Sequence, residues 1–91
     1  MDKSIHTKLY QRMIARLRAK REEKGLSQYQ LSQILNVPQP YVSRIETCER
    51  RIDILELMNI CEALDISLID FVREIDEDIL PKFKASQKRQ E

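Results

Sequence analysis

Apolar side chains recur along this chain at steps of three and four, the spacing of one face of a helix, and capping patterns punctuate the segments that carry them. From Thr7 to Lys24 the apolar positions are Tyr10, Met13, Ile14 and Leu17, with Lys8, Arg12, Arg16, Lys20 and Lys24 around the rest of the circumference. Gly25, the only glycine, ends this helix because it enters the left-handed region at no steric cost. Ser27 with Gln30 three residues on is a capping-box pattern that opens a short second helix to about Leu35, with Leu31, Ile34 and Leu35 expected inward. Asn36, one of the few residues other than glycine that tolerates positive φ, makes the next turn tight. A third helix runs from Gln39 to Glu46. Pro40 falls in its first turn, where a missing N–H has no intrahelical partner to lose, and Val42 and Ile45 anchor its inner face.

Asp53 and Glu56 repeat the capping spacing and open a fourth helix on Leu57, Ile60, Cys61 and Leu64, which Asp65 ends. Ser67 and Asp70 cap a fifth, carrying Leu68, Phe71, Val72, Ile75 and Ile79. Pro81 disfavours helix at Leu80, so the regular pattern is expected to stop there and leave a basic, mobile tail. The predicted organisation is an N-terminal extension over residues 1–7, one compact all-α five-helix domain over 8–79 without strands, and a flexible tail over 80–91.

Composition narrows this picture. Ninety-one residues make one core and exclude a large enzyme architecture. There is neither an apolar run of membrane-spanning length nor a signal-peptide pattern, so a soluble cytoplasmic protein with no membrane association is expected. Cys48 stands in a polar turn and Cys61 within an apolar stripe, which argues against a disulfide and makes Cys61 a small buried hydrophobe. The formal net charge of +1 conceals a segregation: eleven Lys/Arg against five Asp/Glu over residues 1–51, one against nine over 52–80, four against one over 81–91. A basic half followed by an acidic segment suggests one face that meets phosphate and another held away from it, in place of solvated helix faces of random sign.

Two short helices joined by a tight turn, the second with polar residues outward, form the arrangement that carries a helix into the major groove of double-stranded DNA. Several positions satisfy its demands together. Ser32 supplies the small residue where the helices cross, Asn36 the turn, and Leu31, Leu35, Val37, Val42 and Ile45 the core beneath.

With these residues in place, the segments LRAKREEKGLSQYQLSQILNV (17–37), PQPYVSRIE (38–46) and ERRIDILELMNICEALDIS (49–67) resemble the lambda-repressor-like, Cro/C1-type (XRE) helix-turn-helix regulators over roughly Tyr10 to Phe71. The resemblance implies that Gln28 touches phosphate and braces Gln39, which reads a base edge. It also implies that Tyr41, Ser43 and Arg44 lie on or beside the DNA face, and that Arg21 pairs with Glu46. Chemistry agrees on the base readers: Gln39 can form two hydrogen bonds to adenine and Arg44 two to guanine, each worth roughly 1–3 kcal/mol of discrimination. Ser43, Tyr41, Arg50 and Arg51 suit phosphate, with Arg12 and Arg16 weaker candidates. The chain departs from the family at Pro40, which can offer only an apolar surface, and at Cys48, where the family usually has glycine; a positive φ there would cost about a kilocalorie or more.

Leu68, Phe71, Val72, Ile75 and Ile79 exceed what one small core should require, so a homodimer seam on helix 5 is expected in preference to core packing alone. It would set two recognition helices about 34 Å apart on a pseudo-palindrome, with Asp70, Glu74, Asp76, Glu77 and Asp78 away from phosphate. The expected function is a prokaryotic or phage transcription regulator, a repressor by family habit, with no cofactor, no metal site and no catalytic residues. Weighed beside it are an antitoxin-like protein whose tail, Ile79 to Glu91, binds a protein partner, and a helical interaction module that does not bind DNA. His6 is read as solvent-exposed and Cys48 as an incidental thiol.

Overall fold

The computed structural model describes residues 3–88, with side chains from Thr7 onward, so the side chain of His6 and the residues after Lys88 lie outside the described part. Helix α1 (Lys3–Glu23) is followed by α2 (Gln28–Leu35), α3 (Gln39–Glu46), α4 (Ile54–Ala63) and α5 (Leu68–Glu74). A π-helical turn (Ile75–Ile79) then passes directly into α6 (Leu80–Lys88), so the last three segments form one rod and the described residues form five helical bodies with no strand. None of the described helices is long and apolar enough to cross a membrane.

The caps are those the sequence encodes. Ser27 Oγ accepts Gln30 N–H at 3.0 Å while the Gln30 side chain accepts Ser27 N–H at 2.8 Å, and Asp53 and Glu56 repeat the reciprocal arrangement at α4. Ser67 caps α5 through Asp70 N–H. Four helix ends turn on a residue with positive φ: Gly25 (73°), Asn36 (58°), Cys48 (63°) and Asp65 (55°). At each, the following N–H reaches back five residues to a helical carbonyl, as in Val37 to Ser32 and Glu49 to Arg44, which satisfies acceptors the helix leaves open. Cys48 thus does occupy the left-handed region, and the chain carries that strain without a glycine.

The core joins Ile14 and Leu17 of α1, Leu31 of α2, Val42 and Ile45 of α3, Leu57, Ile60 and Cys61 of α4, Leu64 after it and Phe71 of α5. Ser32 is buried where α2 meets α3, its hydroxyl donating to the Tyr29 carbonyl at 2.6 Å. Ile34, expected inward, is instead exposed, because α2 is only eight residues long and Leu31 with Ser32 fills its inner side.

Two expectations are corrected at the C-terminal end. Pro81 does not stop the helix. The preceding π turn, in which Leu80 N–H reaches the Ile75 carbonyl five residues back, widens the backbone where the proline ring would otherwise meet the carbonyl four residues before it. Residues 80–88 are therefore helix, with Phe83 only 3% exposed, and not a mobile tail. The spacing gives the reason. Phe71, Ile75, Ile79 and Phe83 are separated by steps of four, which on an α-helix drift by about 40° each, or about 120° over the whole run; the extra residue of a π turn takes back about 100°.

The second correction concerns the apolar stripe. Phe71 (2% exposed) and Ile79 (5%) are buried within the monomer, and Leu68 and Ile75 pack half-buried against the core, so of the five residues expected at a dimer seam only Val72 is exposed. The surplus of apolar positions is used where the rod packs against α1. Charges reinforce that packing. Arg16 donates to Glu74 at 2.8 Å and to Asp78 at 2.5 Å, and Lys20 reaches Glu74 at 2.7 Å. The Arg12 guanidinium lies 5.5 Å from the Phe83 ring centre.

Candidate DNA interface

Helix α3 is held at both ends. Asn36 turns the chain out of α2, and Pro38, extended at the N-cap, and Pro40 fix its entry. Val42 and Ile45 press its inner face into the core and leave Pro40 and Arg44 exposed, with Gln39, Tyr41 and Ser43 half-covered.

Beneath its outer face runs a continuous hydrogen-bonded chain. Arg21 of α1, a buried residue, grips Glu46 with Nε to Oε2 at 2.6 Å and Nη2 to Oε1 at 3.0 Å, the side chains being 8% and 6% exposed. Arg21 also donates to the Leu26 carbonyl. Glu46 Oε1 accepts Gln28 Nε2 at 2.9 Å, and Gln28 Oε1 in turn accepts Gln39 Nε2 at 2.9 Å. The hydrogen bonds to Glu46 raise the Arg21 pKa against the opposing effect of burial, so the guanidinium keeps its charge.

The order of donors along this chain is dictated by chemistry. An ionised carboxylate can only accept, so Gln28 must turn its NH2 group toward Glu46 and its carbonyl toward Gln39. Gln39 must then give one N–H to Gln28. It keeps its carbonyl and its second N–H, one acceptor and one donor, which is the pair an adenine edge requires. Gln28 likewise retains one N–H for a phosphate oxygen.

The other expected contacts are placed differently. The Arg44 side chain is exposed on α3 and has no hydrogen-bond or ion-pair partner among the described residues. Ser43 uses its backbone carbonyl to accept the Thr47 hydroxyl at 3.0 Å. Tyr41 donates its hydroxyl to Glu56 Oε2 at 2.6 Å, and burial together with that carboxylate pushes its pKa up to about 12. Arg50 is drawn to the same oxygen and lies over the Tyr41 ring, while Arg51 lies 5.0 Å from the centre of the Tyr10 ring, whose hydroxyl accepts Ile52 N–H at 3.1 Å. Arg16 is turned to the acidic rod, so it is not free for DNA. Burial pushes the Cys48 thiol up, which disfavours the reactive thiolate. Sequence reasoning gave Glu56 only a capping role and missed its convergence with Tyr41 and Arg50; residues 41, 50 and 56 lie on three elements, and no spacing rule links them.

A family model described as helix-turn-helix matches residues 17–71, the segment from the middle of α1 to α5. An XRE-family like protein from Pseudomonas syringae pv. tomato str. DC3000 has a similar structure, with TM-score 0.77 and 31% identity over 81% of this chain and 90% of that one. The chain belongs to the XRE-type helix-turn-helix family. As an XRE-type protein it is a DNA-binding transcription regulator, with α2 and α3 as its helix-turn-helix. Other XRE-type folds are similar too. The wild-type restriction-modification controller protein C.Esp1396I aligns with TM-score 0.71 and 29% identity over 80% of this chain and 95% of that one. The clp gene regulator ClgR from Corynebacterium glutamicum aligns with TM-score 0.72 and 26% identity over 90% of this chain and 85% of that one. No curated protein matches the chain in sequence.

Proposed function

We propose that this XRE-type protein is a cytoplasmic transcription regulator, acting as a repressor, that binds a pseudo-palindromic operator as a homodimer and acts by binding and not by catalysis. The observation that carries the reading is the Arg21–Glu46–Gln28–Gln39 chain, which leaves Gln39 with one outward donor and one outward acceptor at the start of an exposed helix. Arg44 is the second base reader, with two N–H donors suited to guanine. Gln28, Ser43 and Arg51 position the helix on phosphate.

The dimer is supported by a different set of residues from those the sequence suggested. Among the described residues, five of the seven exposed large apolar side chains, Ile54, Leu55, Met58, Ile69 and Val72, stand on α4 and α5. An isologous contact through these helices would cover them and pair two recognition helices. A structure of the similar C.Esp1396I protein is of a tetramer in complex with its natural 35 base-pair operator.

Selecting bound sequences from a random duplex pool is the direct test. A two-fold symmetric consensus is expected, with Gln39→Ala and Arg44→Ala each relaxing preference at single base positions and Arg51→Ala weakening all sequences alike. Equal losses on every sequence in all three variants would sink the base-reading assignment. Sedimentation should show a dimer that Leu55→Asp dissociates; a wild-type monomer at micromolar concentration would remove the homodimer.

A further inference from the structure

Three elements meet at one carboxylate oxygen beside the recognition helix. Tyr41, in the first turn of α3, and Arg50, in the loop after it, both direct a donor at Glu56 Oε2, at 2.6 Å and 2.5 Å. The Arg50 guanidinium lies 4.7 Å from the Tyr41 ring centre, so ring and carboxylate hold it together. Glu56 Oε1 accepts Asp53 N–H at 3.1 Å and closes the box that starts α4. Capping needs only that first oxygen. The second is committed to two side chains that suit DNA phosphate.

A carboxylate oxygen with a phenol and a guanidinium aimed at it offers the charge and acceptor capacity of a phosphate oxygen. Tyr41 has a single proton to donate, and while Glu56 holds it none is available to phosphate. Arg50 keeps other N–H groups, but its charge is balanced locally. We propose that Glu56 is a specificity-determining residue: an internal stand-in for backbone phosphate that occupies Tyr41 and Arg50 in the free protein and weakens their contact with DNA that α3 has not engaged. The proposal rests on the DNA-binding reading above. On a duplex that satisfies Gln39 and Arg44, the seated helix holds a phosphate against the two donors and one acceptor replaces another. Elsewhere no base contact holds the helix in place, and the carboxylate retains them.

Glu56→Gln tests this without disturbing the cap, because a glutamine carbonyl also accepts Asp53 N–H. Affinity of the full chain is read by fluorescence anisotropy over a salt series, on a mixed-sequence duplex and on the duplex selected from the random pool, with thermal melts confirming the fold. The variant should bind the mixed-sequence duplex about fivefold more tightly, the effect in water of one positive charge beside phosphate that is no longer balanced internally. Its log–log salt slope should steepen by about 0.9, one more phosphate contact. The selected duplex should gain less, so discrimination falls, and in a background lacking both donors, Tyr41→Phe with Arg50→Ala, the substitution should change nothing.

Unchanged or weaker binding of the mixed-sequence duplex would overturn the proposal, since the carboxylate would then be orienting Arg50 for DNA. So would equal gains on both duplexes, or a gain that persists in the absence of both the Tyr41 hydroxyl and Arg50. A wild-type chain with no salt-dependent affinity for either duplex would instead remove the DNA-binding reading itself, and this proposal with it.

Discussion

Arg16 and Arg21 stand five residues apart on α1 and are used in opposite ways. Arg21 is buried against Glu46 and begins the hydrogen-bonded chain that ends at Gln39, whereas Arg16 is about one-third exposed and clamps the acidic end of the C-terminal rod. The first arrangement fixes the orientation of a side chain that reads bases. The second adds attraction to packing that Phe83 and Ile79 already secure. A buried pair is costly to break because the remaining charge stays out of water, while a half-exposed pair loses little and is screened by salt.

That contrast can be broken most forcefully at Glu46. Glu46→Ala should lower stability by about 4 kcal/mol, because it leaves the Arg21 guanidinium buried with only the Leu26 carbonyl. The loss should be the same in dilute and molar salt when followed by urea unfolding, and base preference at the position read by Gln39 should relax as well. Phe83→Ala comes next, at about 3 kcal/mol, since it empties a buried aromatic site between the rod and α1. Amide exchange should then show residues 80–88 opening; retained protection there would mean that the rod does not depend on this anchor.

Arg16→Ala should cost about 1 kcal/mol in dilute salt and close to nothing in molar salt. A loss as large and as salt-independent as that of Glu46→Ala would erase the distinction between the two arginines. The mildest probe is acid. Glu74, through Lys20 and then Arg16, and Asp78, through Arg16 and then Lys82, are both held below their ordinary values of 4.5 and 3.8. Carboxylates depressed in the folded state contribute stability that is present above their unfolded values and is lost as pH falls through the folded ones. The clamp should therefore loosen below about pH 4, with Arg16→Ala flattening this part of the pH–stability curve.

Helix positions and caps were legible because they depend on neighbours in sequence. Ser27 with Gln30 and Asp53 with Glu56 formed the boxes their spacing predicted, and Asn36 took the left-handed turn. The π turn is written in the sequence too, in the unbroken steps of four from Phe71 to Phe83, a signal that the proline rule at Leu80 and Pro81 passes over. Ile34 and the proposed dimer residues were misplaced for another reason. Periodicity finds an apolar stripe but not which neighbour covers it, and here α1 covers Phe71 and Ile79 while leaving Val72 open.

By itself the sequence determined five helical bodies, their caps and the motif that presents Gln39 and Arg44, because a cap or a turn is settled by chemistry within four or five residues. Only the tertiary structure decided which charges are spent inside the molecule. Glu46 lies 25 residues from Arg21, Glu74 lies 58 residues from Arg16, and Glu56 gathers Tyr41 and Arg50 from two other elements. A charged side chain carries no record of its partner in its local spacing; packing brings the two together, and burial sets how firmly they hold.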